Sequence, residues 1–256
     1  MLRMNDPHFT GKTALVTGSG AGIGRATAKA FAAKGVRVVV SDISLADAED
    51  TVASIRDGGG EAAAMQCDAT DGAAVERLVQ ATLDRFGSLD FAHNNVGVGT
   101  GKSIEDLTEA DYRLISDTSL KSVMLGMKYQ LPVMRAQGGG AIVNTASMAG
   151  ISTVQTADIV YAGAKAGVIQ MTAHAARTYA PYDIRVNCVA PGLVRTKILS
   201  EMFTHEQQMA MADFHLIKRL IEPEEIAAAA IFLCSADAAM ITGHCLPVDG
   251  GQSAIR

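Results

Sequence analysis

An apolar strand that runs directly into a glycine-rich turn and then a helix leaves a chain few folds to choose from. Lys12-Thr-Ala-Leu-Val-Thr17 reads as the strand, Gly18-Ser-Gly-Ala-Gly-Ile-Gly24 as the turn and Arg25 to Lys34 as the helix. A buried strand of this kind needs parallel neighbours, and the helix needs a sheet face to cover. The turn also suits a phosphate, because glycines let the backbone approach a pyrophosphate that rests on the first amides of the helix. The strict Gly-x-Gly-x-x-Gly spacing fails at Ile23, and what matches is Gly-x-x-x-Gly-x-Gly at Gly18, Gly22 and Gly24. Taken alone, a plain tight turn would look the same.

The next stretch adds the context. Val36-Arg-Val-Val-Val-Ser-Asp42 is a second apolar strand, and it ends in an acid eighteen residues past Gly24. A carboxylate about 20 residues beyond the turn binds the adenosine ribose hydroxyls and repels a 2′-phosphate. Ser19 and Ile43 bring no positive charge, Arg37 lies at the far end of the strand, and Arg25 is expected to point along its helix. NAD is therefore preferred over NADP. Asp42 also reads as an N-cap for the following helix, which is compatible with the ribose role.

The alternation continues down the chain. Helices are expected at about Leu45 to Asp57, Ala73 to Phe86 and Glu109 to Arg135, the last broken or bent near Pro132. Strands are expected at Glu61 to Cys67, Leu89 to His93, Ala141 to Thr145, Ile184 to Val189 and Cys245 to Val248. This pattern predicts an α/β fold, a Rossmann-type doubly wound parallel sheet in three layers, as a single domain. Such sheets bind ligands beyond the carboxyl ends of their strands. Gly18, Asp42, Asp68, Asn95, Ser147 and Pro191 all fall there.

Chemistry is suggested by Tyr161-Ala-Gly-Ala-Lys165, with Ser147 fourteen residues upstream of the tyrosine. Residues four apart share a helix face, so the Lys165 ammonium is expected to lower the Tyr161 pKa from its reference near ~10. A tyrosine tuned that way exchanges a proton with an alcohol or ketone, and the Ser147 hydroxyl would hold the same oxygen. By itself the pair reads equally well as an ordinary surface tyrosine and lysine.

Bulk properties exclude other classes. The chain has 256 residues and a net charge of −5. It has no basic run to neutralise phosphates, so nucleic-acid binding is not expected. No apolar stretch approaches the ~18 residues of a membrane span. Cys67, Cys188, Cys234 and Cys245 are scattered and form no metal-ligand spacing, so no metal site is expected and a reduced, cytoplasmic protein is.

With these motifs in place, the chain resembles the single-domain short-chain dehydrogenases/reductases from about Gly11 to Gly251. The resemblance rests on the glycine turn, Asn94-Asn-Val-Gly97, Ser147, Tyr161-x-x-x-Lys165, Pro191-Gly192-Leu-Val-Arg-Thr196, and Ile241-Thr-Gly through Val248-Asp-Gly-Gly251. Details around them, such as Met127-Lys-Tyr-Gln130 and Ile142-Val-Asn-Thr-Ala-Ser147, look like bacterial dehydrogenases of cyclic alcohols and diols.

The resemblance implies roles. The glycine turn with Ile23 would hold the pyrophosphate, and Asp42 with Ile43 the adenosine ribose. Asp68 and Ala69 would flank the adenine, and Asn95 and Gly97 would meet the ribose region. Tyr161 would be the acid/base and Ser147 the orienter of the substrate oxygen. Lys165 would serve both Tyr161 and the nicotinamide ribose. Pro191 and Gly192 would lead into Val194 and Thr196, which would anchor the carboxamide. A homotetramer is implied, with a dimer as runner-up.

Three positions depart from the family pattern. Ser119 stands where an Asn usually helps relay protons from the lysine; its hydroxyl could hold a water with shorter reach. Val96 replaces a small Ala. His93 replaces an aliphatic residue and reads as a core histidine bonded to backbone in preference to a catalytic one. One extra residue also separates Ser147 from Tyr161.

Residues from about 193 to 221 are implied to form a substrate lid. Met202, Phe203, Met209, Met211 and Phe214 would suit an apolar ligand, or would simply pack as a core helix. Val154, with Thr153 and Gln155, would line the other wall. Asp158 would reach a polar substrate group or cap the Tyr161 helix. The expected activity is NAD-dependent interconversion of a secondary alcohol, cyclic or a diol, with its ketone. The substrate is read as a small, mostly apolar, uncharged molecule. The alternative is an NAD-binding redox sensor or scaffold with weak turnover, for which Ser119 is the only support.

Overall fold

The computed structural model describes residues 7–153 and 157–254, without the side chains of Ile198 and Met202. Its strands are β1 (Thr13–Thr17), β2 (Arg37–Asp42), β3 (Ala62–Gln66), β4 (Phe91–Asn94), β5 (Gly140–Thr145), β6 (Ile184–Pro191) and β7 (Cys245–Val248). They make one parallel sheet in the order β3-β2-β1-β4-β5-β6-β7. The Rossmann-type doubly wound sheet expected from the alternation is therefore present. Because β1 lies between β2 and β4, the winding reverses there and opens a crevice at the carboxyl edge.

The helices are α1 (Gly22–Ala32), α2 (Leu45–Asp57), α3 (Gly72–Phe86), α4 (Glu109–Ser116), α5 (Ser122–Gln137), α6 (Ile159–Tyr179), α7 (Lys197–Met202), α8 (His205–Ala212) and α9 (Pro223–Cys234). Strand side chains alternate between two cores. Ala14, Val16, Val38, Val40 and Val143 face α1, α2 and α9. Leu15, Val39, Ile142, Val186 and Cys188 face α3, α5 and α6. Burial on both faces explains why the strands read as continuous apolar runs.

A buried amide network fixes α5 and α6 against the middle of the sheet. Asn94 Nδ2 donates to Gln130 Oε1 and to Asn144 Oδ1, both at 3.0 Å, and Asn144 Nδ2 donates to Thr172 Oγ1 at 3.0 Å. Gln130 Nε2 returns a bond to Asn94 Oδ1 at 2.8 Å. Satisfied polar networks of this kind specify one packing arrangement.

The long helix expected over 109–135 differs from the structure. Pro132 is accommodated inside α5, and the irregularity is a π-helical turn at Asp117–Lys121. There Ser122 N–H reaches Asp117 O. Thr118 Oγ1 donates back to Leu114 O at 2.6 Å, and Ser122 Oγ donates to Thr118 O at 2.5 Å. Such back-bonding hydroxyls bend helices. Ser119 sits in this turn.

The caps are mostly local and readable. Ser44 accepts from Asp47 N–H and caps α2, so the cap is Ser44 rather than Asp42. Thr108, Thr196 and Thr204 cap α4, α7 and α8. By contrast, Ala21 at the N-cap of α1 offers no side-chain cap, which leaves the first amides of the helix at the crevice.

Candidate active site

A cleft of about 620 Å³ opens at the carboxyl edge of the sheet. Gly18, Gly22, Ile23, Asp42, Ile43, Asp68 and Ala69 line one end, and Asn95, Gly97, Ser147, Tyr161 and Lys165 line the middle. Pro191, Gly192, Val194 and Thr196 close the remaining side. Gly24 is buried and does not line the cleft; a Cβ on it would stand 2.1 Å from Gly18 O. Its place is to let α1 pack against the turn. Val154 lies outside the described residues, and Met202 is placed only as the last residue of α7.

The parts of the cleft suited to a dinucleotide are built from the first strand ends. Asp42 Oδ2 accepts from Gly20 N–H at 2.9 Å and Oδ1 from Ser44 N–H at 3.1 Å, which fixes the carboxylate at the mouth of the turn. Arg25 turns across to α2, where its Nε donates to Thr51 Oγ1 at 2.9 Å. That differs from the expectation that it points along its own helix. Asp68 Oδ1 accepts from both Thr70 N–H and Thr70 Oγ1 at 2.8 Å. The uncapped start of α1 and the acid that closes β2 fit a pyrophosphate and a ribose diol respectively.

Ser147 and Tyr161 both line the centre of the cleft, with the serine placed to favour the ionised form of the phenol. Lys165 is 1% exposed, and its Nζ donates to Thr145 O at 2.8 Å. That nitrogen lies 5.6 Å from the centroid of the Tyr161 ring. Gly97 passes through the gap beside it: a Cβ there would be 2.7 Å from Lys165 Nζ and 3.3 Å from Ser119 Oγ.

The electrostatics correct the sequence expectation. Burial pushes the Tyr161 pKa above its ordinary value; the Ser147 hydrogen bond opposes this and the Asp158 charge adds to it. Withdrawing a phenolate from water costs more here than the Ser147 hydroxyl returns. Burial also lowers Lys165 to about 8.

Two departures from the family pattern are resolved here. The Ser119 hydroxyl donates to Val98 O at 2.8 Å and accepts from Val98 N–H at 2.9 Å. It is committed to the loop after β4 instead of reaching into the cleft. His93 is fully buried, and its Nε2 pairs with a side chain, Thr145 Oγ1 at 2.8 Å, where a backbone partner was expected. Thr145 Oγ1 donates to Asn95 Oδ1 at 3.1 Å, so His93 carries its proton on Nε2 and leaves Nδ1 without a partner.

Burial first, and the Lys165 charge second, lower His93 to about 3 from 6.5. The unfolded chain therefore takes up this proton first as pH falls. Stability is full above about 6.5 and drains as pH falls towards 3, by about 1.4 kcal/mol per unit. In urea unfolding, this one group should cost the wild type roughly 2 kcal/mol between pH 7 and pH 5. A His93→Leu variant should show a slope shallower by that amount, and equal slopes would contradict the assignment.

Sequence reasoning missed the wall made by Val98, Gly99 and Gly101, the anchor Thr145, and Gln252 from the C-terminal segment. The first of these comes directly after β4, so the carboxyl-end rule already pointed to it. Of the apolar residues named for 193–221, Phe203 and Met211 line the cleft, whereas Met209 and Phe214 are exposed. Two short helices, α7 and α8, stand where one was anticipated.

A cleft at the switch point of a doubly wound sheet, with an acid closing the second strand, is the arrangement of the dinucleotide-binding class. The chain belongs within it to the short-chain dehydrogenase/reductase family. A model of that family, described as Enoyl-(Acyl carrier protein) reductase, matches residues 18–253. The chain is 40% identical over 254 residues to a cyclohexanol dehydrogenase of Acinetobacter sp. (strain SE19), covering 99% of each protein. It superposes on the crystal structure of levodione reductase with a TM-score of 0.91 and 36% identity, covering 97% of this chain and 100% of that one. It also superposes on 7α-hydroxysteroid dehydrogenase complexed with NADH and 7-oxo glycochenodeoxycholic acid, with a TM-score of 0.90, 36% identity and coverage of 95% and 94%.

Proposed function

We propose that this chain is an NAD-dependent dehydrogenase that interconverts a cyclic secondary alcohol or diol and its ketone. The observation that carries the reading is the convergence of Ser147, Tyr161, Lys165 and Asp42 on one cleft. The similarity to a cyclohexanol dehydrogenase and to levodione reductase supports a cyclic substrate.

The residues divide the work. Gly18, Gly22 and Ile23 would hold the pyrophosphate, Asp42 and Ile43 the adenosine ribose, and Asp68 and Ala69 the adenine. Asn95, Gly97 and Lys165 would meet the nicotinamide ribose, and Val194 and Thr196 the carboxamide. When bound, the nicotinamide supplies the hydride acceptor and donor. Tyr161 phenolate takes the proton from the alcohol hydroxyl, and Tyr161 phenol returns it to the ketone oxygen. Ser147 hydrogen-bonds that same oxygen and orients it. Lys165, held by Thr145 O and charged below about 8, stabilises the phenolate. Residues 193–221 act as a lid over the substrate within one catalytic domain, stitched at its base by the Val194–Ile221 bridge. Phe203 and Met211 give the substrate an apolar surface.

A homotetramer in the cytoplasm completes the reading. Exposed Tyr112, Leu114 and Met124 on α4 and α5, and Phe232 on α9, offer faces for it. Light scattering of the purified protein tests the assembly.

Asp42 tests the cofactor. The wild type should favour NAD over NADP by about 100-fold in kcat/KM, and Asp42→Ala should cut that ratio at least tenfold, as roughly expected for removing a charge that repels the 2′-phosphate. Parallel assays with the two cofactors read the ratio. A wild type that prefers NADP would overturn this part of the proposal.

A further inference from the structure

Asp158 carries more than a helix cap. Its residue is 2% exposed, and both carboxylate oxygens are engaged. Oδ1 accepts from Tyr161 N–H at 2.7 Å and starts α6. Oδ2 accepts from three donors in the segment after β4: Thr100 N–H at 2.8 Å, Thr100 Oγ1 at 3.1 Å and Gly101 N–H at 3.2 Å. A cap uses one oxygen. The second oxygen here reaches a segment of chain far away in sequence.

That segment touches the catalytic ring. A Cβ on Gly99 would stand 3.1 Å from Tyr161 Cγ and 3.4 Å from Asp158 Oδ2, so this glycine approaches the tyrosine and the carboxylate with little room for a side chain. Val98, Gly99, Gly101 and Asp158 line the same cleft as Ser147 and Tyr161. Val98 is tied from the other side by Ser119 in the π turn. The wall over 98–101 thus has two fastenings, and Asp158 is the charged one. Burial pushes the Asp158 pKa up, but bonds from the Tyr161, Thr100 and Gly101 amides and the Thr100 hydroxyl outweigh it and hold the group below the usual carboxylate range. A carboxylate with several donors makes charge-assisted bonds, which are the stronger kind.

We infer that Asp158 is a positioning residue that latches segment 98–101 onto the start of α6, so that the wall against which the alcohol ring rests and the Tyr161 ring move as one piece. The inference rests on the acid/base role proposed above for Tyr161. It gives Asp158 a second effect. Among the described residues, Asp158 at the N-cap of α6 and Lys165 within it are the charged groups around Tyr161; segment 98–101, Ser147 and the residues Phe203 and Met211 bring no charge to it. Removing the Asp158 charge therefore eases ionisation of Tyr161.

Two variants separate latch from cap. Asp158→Asn and Asp158→Ser both retain a good N-cap for α6, and neither can serve the three donors of segment 98–101 as a carboxylate does. Hydrogen exchange needs no turnover. Thr100 and Gly101 amides should exchange at least about tenfold faster in both variants, with α6 amides unchanged. With cyclohexanol as the probe, KM for the alcohol should rise by roughly tenfold, while KM for NAD stays within about twofold. The pH at which alcohol oxidation reaches half its alkaline maximum should move down in both variants.

Unchanged exchange at Thr100 and Gly101 would overturn the latch. So would equal rises in both KM values with an unmoved pH profile, since that is what a purely structural cap predicts. Faster exchange in the variants of a wild type that oxidises no secondary alcohol would uphold the latch and defeat the enzymatic reading, so the two failures are distinguishable.

Discussion

Replacing Tyr161 with Phe should lower kcat/KM for secondary alcohols by roughly 100- to 10,000-fold, the range for removing a general acid/base. The ring itself should stay in place, because Gly99 approaches it closely and the Tyr161 backbone is held by Asp158. Affinity for NAD should therefore stay within about twofold, since only a transition-state interaction is lost. Residual oxidation in the variant should also lose most of its rise at alkaline pH. In the proposed mechanism that rise comes from Tyr161, whose burial lifts its pKa and so places the useful phenolate towards high pH. Steady-state rates with titrated alcohol, together with NAD binding by fluorescence, check both halves. A variant that retains full turnover would move the proton transfer to another group.

The second large effect concerns binding. A Gly24→Ala Cβ would meet Gly18 O at 2.1 Å, Gly18 C at 2.7 Å and Ser19 Cα at 2.8 Å. All three are backbone atoms, so no rotamer change relieves the overlap. The start of α1 must move away from the turn, at a cost of about 1–3 kcal/mol from overpacking alone. The amides that would receive the pyrophosphate move with it. NAD affinity should fall by roughly 100-fold, the scale of a displacement of about 1 Å at a binding constellation. Calorimetric titration and thermal unfolding on the same sample read the two effects. Wild-type affinity in this variant would show that the turn does not hold the cofactor.

These expectations draw unequally on the sequence. The glycine turn, the acid closing β2 and the strand ends are legible because backbone rules place them: in a parallel sheet, the residues just beyond each strand gather at one edge. The Tyr161–Lys165 spacing gives a shared helix face for the same reason. The sign of the Tyr161 shift is not legible, since it depends on how completely the fold buries the phenol. Sequence puts the bend at Pro132 because proline is the visible breaker. The actual π turn rests on the back-bonding hydroxyls of Thr118 and Ser122, which polar composition alone does not announce. Ser119 reads as a water holder, and its bonds to Val98 emerge only once the loop after β4 has folded onto it. Asp158 stands between two roles, because a sequence shows a cap but not what reaches the other oxygen. The split into α7 and α8 has a local signal in Thr204-His-Glu-Gln207, a capping box that starts α8.

The most direct test of the account is NADH formation by the wild type on a panel of cyclic and acyclic secondary alcohols and diols, with NADP in parallel. Turnover is expected, highest on cyclic alcohols and with NAD, from a protein that binds NAD at the Gly18–Asp42 end of the cleft. Tight NAD binding with no turnover on any member of the panel would contradict it and leave the chain as a binding protein.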